Sequence, residues 1–105
     1  NGLRAFGLRP LLHSPHLGPV HSLRLDGNRL GEMGGQVLAR WPGLKGVRTL
    51  SLGNCGLGEV AARELLDGLG PLSLLDLHGN DIPDEVADRF RAAQEAGRIA
   101  ELVLD

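Results

Sequence analysis

The sequence predicts an α/β fold, a right-handed solenoid built from short strand–helix units whose strands run parallel. The first observation is a Leu-x-Leu element that begins at Leu23, Leu50, Leu75 and Leu102, at intervals of 27, 25 and 27 residues. The second is that a stretch with helical spacing follows each complete element. The third is an aromatic content of 3%. With so few aromatic residues, leucine and other aliphatic side chains must build the core.

The Leu-x-Leu elements alternate between apolar and other residues, which is typical of a strand with one buried face. Segments 23–30, 50–57 and 75–82 align along their whole length, and a fourth copy starts at residue 102. This alignment predicts strands near residues 22–26, 49–53, 74–78 and 101–105.

The stretch after the second strand is predicted to form a helix. Apolar residues recur there at helical spacing and would share one stripe. These residues are Val60, Ala61, Leu65, Leu66 and Leu69.

The stretch after the third strand carries the residues that favour helix ends. Pro83 suits the first helical position, and Asp84 and Glu85 in the first turn complement the helix dipole. Gly97 lies where the helix should end. We therefore expect a helix from residue 83 to just before residue 97.

One unit of about 27 residues cannot bury its own leucines, so the units must stack. Every unit repeats the same path, which makes the strands parallel and the crossovers right-handed. Strands pack about 4.8 Å apart, whereas helices need about 8–10 Å. The sequence therefore predicts a single repeat domain over residues 1–105, with partial repeats at both ends, strands on a concave face and helices on a convex face.

Three polar or weakly polar residues occupy the same position after successive strands. Asn28 and Asn80 are equivalent, and Cys55 replaces asparagine in the middle copy. A buried asparagine amide there can satisfy backbone carbonyls of the turn and of adjacent copies, and a thiol can do so more weakly. We expect these residues to form a structural ladder.

The pattern Leu-x-Leu-x-x-Asn/Cys-x-Leu, followed by a helix, resembles the ribonuclease-inhibitor type of leucine-rich repeat. The resemblance covers essentially the whole chain, although the third copy is two residues short and no polar cap is evident at either end. It implies recognition of a protein partner through the concave face and adjoining loops, by analogy with the family. It also implies further repeats or domains in a longer chain.

The outward-facing strand positions are candidates for partner contact, because the fold does not dictate their chemistry. The alternative is that they form an ordinary solvated strand surface. The predicted rows across the sheet are Ser22, Thr49, Leu74 and Glu101; then Arg24, Ser51, Asp76 and Val103; then Asp26, Gly53, His78 and Asp105.

Two histidine groups are considered as sites of metal binding or catalysis. His13, His16 and His21 crowd the first loop without a cysteine or carboxylate at ligand spacing. His78 with its neighbouring aspartates suggests a general base or a metal ligand, but no nucleophile accompanies it at an evident position. We therefore expect no catalytic, cofactor-binding or metal-binding residues.

Two other reactive or aromatic side chains are interpreted as structural. Cys55 takes the place of a buried asparagine, which favours an inert buried thiol over a catalytic one. Trp41 precedes Pro42 at a predicted helix end, where packing is favoured over recognition.

The overall charge and composition limit the kinds of partner. The net charge is −2 and the basic residues are scattered among acids, which argues against nucleic-acid binding. No apolar run is long enough for a membrane span. A single cysteine forms no disulfide within the chain and favours a reducing, cytoplasmic location.

These observations favour a protein–protein interaction module rather than an enzyme. One alternative is a set of spacer repeats within a longer array. Another is a regulatory or sensor segment of a multidomain enzyme or of a GTPase regulator, which some repeat proteins of this type are.

Overall fold

A strand followed by a helix recurs along the chain in the structure, a computed structural model that describes residue 12 and residues 19–104. In chain order the elements are β1 (Ser22–Arg24), α1 (Gly31–Ala39), a 3₁₀ helix (Pro42–Gly46), β2 (Thr49–Ser51), α2 (Gly58–Gly68), β3 (Leu72–Asp76), α3 (Asp84–Glu95) and β4 (Ile99–Val103).

The four strands form one parallel sheet whose strand order, β1-β2-β3-β4, is the order of the chain. The first leucines of the Leu-x-Leu elements are direct partners across the whole sheet: Leu23 faces Leu50, Leu50 faces Leu75, and Leu75 faces Leu102. The predicted α/β class and the parallel pairing are therefore confirmed. The register follows the leucine alignment.

The core lies on the leucine side of the sheet. Leu50 and Leu75, on the two central strands, are fully buried, whereas Leu23 and Leu102 on the outer strands are partly exposed. α1 packs against α2 and α2 against α3. The largest fully buried side chains besides the strand leucines are Leu38, Leu44, Val47, Leu57, Leu65, Val86 and Phe90.

The strands are displaced from their predicted bounds. β3 and β4 begin two residues early, at Leu72 and Ile99, and these two residues pair directly. All four strands end two residues early, although interstrand hydrogen bonding persists beyond the end of β1, where the Leu25 amide donates to the Ser51 carbonyl at 2.8 Å. β1, β2 and β3 each end shortly before a residue with left-handed φ, which after β1 is Gly27.

The apolar stripe of α2 differs from the prediction at one position. Val60 is 44% exposed, and Ala62 is buried instead, beside Ala61 and Leu65. α2 packs against a helix on each side, α1 and α3. The buried stripe of a helix is about 100° wide or more, and Val60 lies off its edge.

The ends of α3 follow the expected chemistry, with one shift. Pro83 lies just before the helix, in an extended conformation with φ −60° and ψ 149°, and Asp84 is the first helical residue. Gly97, with φ +85°, ends the helix, and the Arg98 amide donates to the Ala93 carbonyl at 3.0 Å. This hydrogen bond is the hallmark of a glycine-terminated Schellman motif.

A 3₁₀ helix is present in the first of the three connections from helix to strand. It lies between α1 and β2, and its Leu44 is fully buried. Trp41, directly before it, is 7% exposed and covers Gly43, so the predicted packing role of this tryptophan is confirmed. Residues 69–71 connect α2 to β3, and residues 96–98 connect α3 to β4.

Candidate functional site

The side of the sheet opposite the leucines is the candidate site, and we call it the outward face. The strand register places its residues in the predicted rows. Ser22, Thr49, Leu74 and Glu101 are successive partners, as are Arg24, Ser51, Asp76 and Val103. Asp26 and His78 follow strands β1 and β3 at the same edge, where the carboxyl ends of the parallel strands meet.

The residues of the outward face are exposed on the outer strands β1 and β4 and more buried on the central strands β2 and β3. Thr49, Leu74 and Asp76 are half-buried there. Ser51 is only 5% exposed, so the expectation that it faces solvent is wrong. The exposed members are Ser22, Arg24, Glu101 and Val103.

Ser51 is buried because the Asp26 side chain crosses from the turn after β1 to β2. The Ser51 hydroxyl donates to the Asp26 carboxylate, with its Oγ 2.8 Å from Oδ1 and 2.7 Å from Oδ2. The Gly53 amide also donates to Asp26 Oδ1. The alternation of the strand does not predict this crossing, which fixes a carboxylate at the middle of the face.

A second carboxylate of the face is paired with a histidine two residues further along. Asp76 Oδ1 accepts from the His78 amide at 3.0 Å and lies 2.7 Å from His78 Nδ1. The hydrogen bond to Asp76, together with the charge of that carboxylate, raises the pKa of His78. Burial raises the pKa of Asp76, but the hydrogen bonds from the His78 amide and ring outweigh it and leave the pKa below its ordinary value.

The His78 ring reaches back to the preceding unit. It lies so close over Gly53 that a Cβ on that glycine would overlap the ring. Its Nε2 is 3.2 Å from the side-chain nitrogen of Asn54, whose backbone amide donates to the His78 carbonyl at 2.8 Å. The turns after β2 and β3 are thereby joined by both backbone and side-chain contacts.

Asn54 was not among the predicted site residues, although the sequence contains a signal for it. It aligns with Gly27 and Gly79 at the same position of their units, and all three have left-handed φ, at 55°, 75° and 70°. Asparagine is one of the few non-glycine residues that tolerates this conformation.

Asn80 lies behind the face and links two turns. Its amide nitrogen donates to the carbonyls of Leu52 at 2.7 Å and Leu77 at 2.9 Å. Its amide oxygen accepts from the backbone amides of Cys55 at 2.9 Å and Leu57 at 3.3 Å. One buried side chain therefore satisfies polar backbone groups in two consecutive units.

Asn28 and Cys55 occupy the equivalent positions. The Asn28 amide donates to the Leu25 carbonyl at 3.0 Å, and the Cys55 sulfur lies 3.1 Å from the same oxygen. Cys55 is fully buried, and burial raises the pKa of its thiol. A buried, protonated thiol of this kind is a structural group and a poor nucleophile.

The face does not assemble a metal centre in the part of the chain that the structure describes. There, no three histidine, cysteine or carboxylate side chains converge on one point. Asp76 and His78 are in contact, but the hydroxyl of Ser51 on the neighbouring strand is hydrogen-bonded to Asp26 and not to His78. Of the remaining predictions, His21 is exposed, while His13, His16 and Asp105 lie outside the described residues.

Comparisons of the chain with protein-family models, curated proteins and solved structures gave no match. None of the described helices has the length and apolar character needed to cross a bilayer.

Proposed function

We propose that this chain is a segment of a leucine-rich-repeat solenoid of the ribonuclease-inhibitor type, and that it binds a protein partner through the outward face. The observation that carries the proposal is the contrast between the two sides of the sheet. The leucine side is packed, whereas the opposite side presents exposed and half-buried polar residues that the core does not require. Exposed residues of mixed chemistry on a rigid sheet suit recognition.

The proposed solenoid shape is supported by topology. Each strand pairs with the next strand in the chain, and each helix packs against the next helix. Parallel strands joined by a helix form right-handed crossovers. Because strands pack more closely than helices, the strand side is the shorter one. In this proposal the outward face is therefore concave and the helices line the convex side.

The chemistry of the face suggests what the partner presents. Exposed Arg24 on β1 and exposed Glu101 on β4 place opposite charges at the two sides of the face. Half-buried Leu74 lies between them. The complementary surface carries an acidic group opposite β1, a basic group opposite β4 and an apolar side chain between, an arrangement that would also fix the orientation of the partner.

Site-specific photo-crosslinking tests the proposal in the complete protein. A photoreactive amino acid is placed at Ser22 or Glu101 on the outward face, and in matched variants at Arg89 or Glu95, which are exposed on α3. We expect both outward positions to crosslink to the same partner and both helix positions to give no such product. Crosslinks from the helix positions alone would contradict the proposal.

Charge reversal supplies an independent measurement once the partner is in hand. The double variant Arg24→Glu with Glu101→Lys should weaken binding about tenfold or more, because it presents like charges to the partner. The helix variant Arg89→Glu with Glu95→Lys keeps the same net charge and should bind like the unmodified protein. Unchanged binding by the first variant, together with unchanged binding after removal of the whole segment, would instead identify these repeats as a spacer.

A further inference from the structure

The contact between His78 and Asn54 joins the turns that follow β3 and β2. The backbone half of this contact is the hydrogen bond from the Asn54 amide to the His78 carbonyl. The side-chain half depends on which ring nitrogen carries a proton, and the surrounding groups determine that.

Asp76 decides the proton position on the ring. An ionised carboxylate only accepts hydrogen bonds, so the ring nitrogen 2.7 Å from Asp76 Oδ1 must carry hydrogen. In the neutral ring this leaves a lone pair on Nε2. The neighbouring Asn54 nitrogen, 3.2 Å away, then donates to Nε2. The contact as it stands fits the neutral form of His78 protonated at Nδ1.

Protonation makes this arrangement unfavourable. In the charged ring both nitrogens are donors, so an N–H at Nε2 would point at the amino group of Asn54. The amide oxygen on the same side chain is an acceptor suited to that N–H, and it would form a charge-assisted hydrogen bond.

We propose that the Asn54 side-chain amide rotates by about 180° when His78 takes up a proton, so that its oxygen replaces its nitrogen at Nε2. The backbone stays in place, because the backbone N–H of Asn54 remains hydrogen-bonded to the His78 carbonyl. Gly79 lies beside the Asn54 amide oxygen, where a side chain would collide with it, and the glycine leaves room for either orientation.

The hydrogen bond to Asp76 and the charges around the ring favour the protonated form of His78. Among the described residues, Asp76 on β3 and Asp26 in the turn after β1 both act on His78 and raise its pKa. The change therefore occurs at a pH above the ordinary imidazole value of about 6.5. The inference needs no binding partner and stands apart from the proposed recognition role.

Nitrogen-15 NMR of the 105-residue chain tests the inference directly. At high pH the ring of His78 should show a protonated Nδ1 and an unprotonated Nε2, and the Asn54 side-chain amide signals should move with the His78 titration. A neutral ring protonated at Nε2 would overturn the proposal, because the amide oxygen would already face it. Amide signals that do not change through the titration would overturn it as well.

The variant Asn54→Gly gives a second test, in which the direction of the change in the pKa of His78 supports or overturns the proposal. Glycine accepts the left-handed φ of 55°, so the turn is retained without the amide. If the rotated amide stabilises the charged ring, its removal lowers the pKa of His78. If the amide stays fixed as a donor, its removal raises this pKa and the proposal fails. Asp76→Asn is the positive control, since loss of the carboxylate must lower the same pKa.

Discussion

Asn80 is the residue whose side chain serves the most backbone groups behind the face. Replacing it with alanine leaves the carbonyls of Leu52 and Leu77 and the amide of Cys55 without these partners. Each buried polar group left unsatisfied costs about 1–3 kcal/mol. We expect Asn80→Ala to lower the free energy of unfolding by about 2–4 kcal/mol, measured by urea denaturation.

A matched variant separates this effect from general damage to β3. Ser73 is exposed on the same strand, and Ser73→Ala should change the free energy of unfolding by less than about 0.5 kcal/mol. Equal losses in the two variants would show that the hydrogen bonds of Asn80 contribute nothing specific.

The pairing of Asp76 with His78 makes stability depend on pH. The raised pKa of His78 means that the folded state binds its proton more tightly than the unfolded state. The stabilisation is fully present below the unfolded pKa of about 6.5 and is lost as the pH rises through the folded value. In acidic solution, the lowered pKa of Asp76 stabilises the folded state, and this stabilisation is lost as the pH falls through the pKa of Asp76 in the folded state.

The expected result is that His78→Gln lowers the melting temperature relative to the unmodified chain at pH 5–6 and that this difference shrinks toward pH 8–9. Thermal denaturation followed by circular dichroism across this pH range measures it. Asp76→Asn should produce the same trend, because it removes the partner. A difference that grows with pH would contradict the assignment.

Much of the candidate site at the residue scale follows from the repeat alignment. A fixed period fixes the strand register, and the register places Thr49 beside Leu74 and puts Asn80 behind the face. The burial of Ser51 and the contact made by Asn54 do not follow from the period. They depend on where Asp26 and His78 direct their side chains after the strands have ended, which alternation does not specify.

At the scale of the elements, Gly35 makes a tight contact between α1 and α2. A Cβ at this position would lie 2.6 Å from the Ala61 Cβ and 2.9 Å from Leu57 Cδ2, both closer than packed side chains allow. Alanine is favoured over glycine within a helix by about 1 kcal/mol, but overpacking a tight contact costs about 1–3 kcal/mol. We expect Gly35→Ala to destabilise the fold by up to about 2 kcal/mol net, measured by urea denaturation.

Two further variants check the cause. Gly46→Ala adds a methyl group where no atom lies within 4 Å, so its effect should stay within about 1 kcal/mol and can be stabilising. Adding Ala61→Gly to Gly35→Ala restores the space and should recover part of the lost stability. Failure of this second change to rescue the first would place the strain elsewhere.

The elements themselves were predictable to different degrees. The helix end at Gly97 and the strand pairing follow from local chemistry and from spacing. The 3₁₀ helix at Pro42–Gly46 was missed because its single buried Leu44 leaves no periodic pattern. The exposure of Val60 was missed because the position of α2 between two other helices selects the buried stripe.

On the scale of the whole molecule, β4 has one strand partner among the described residues, and its other edge has no strand partner there. Unpaired edges of this kind promote association between chains. We expect the isolated 105-residue chain to self-associate with increasing concentration, as measured by analytical ultracentrifugation. A chain that stays monomeric at high concentration would contradict this expectation.

Lysine substitutions locate the surface responsible. Val103 on β4 and Val60 on α2 are exposed to similar extents, 37% and 44%. Val103→Lys should reduce association, because a charge near a strand edge opposes pairing with another chain. Val60→Lys should leave the association unchanged. If Val60→Lys reduced association and Val103→Lys did not, the contact between chains would lie on the helices.

The agreement between strand order and chain order also bears on how the protein is made. Corresponding residues of neighbouring strands are 25 or 27 positions apart, so no strand waits for a partner from the far end of the chain. During synthesis, each new strand can join the sheet soon after it leaves the ribosome, since domains form from the N-terminal end as the chain emerges. The growing edge then serves as a template that the next segment covers in turn, and each added strand presents a new edge.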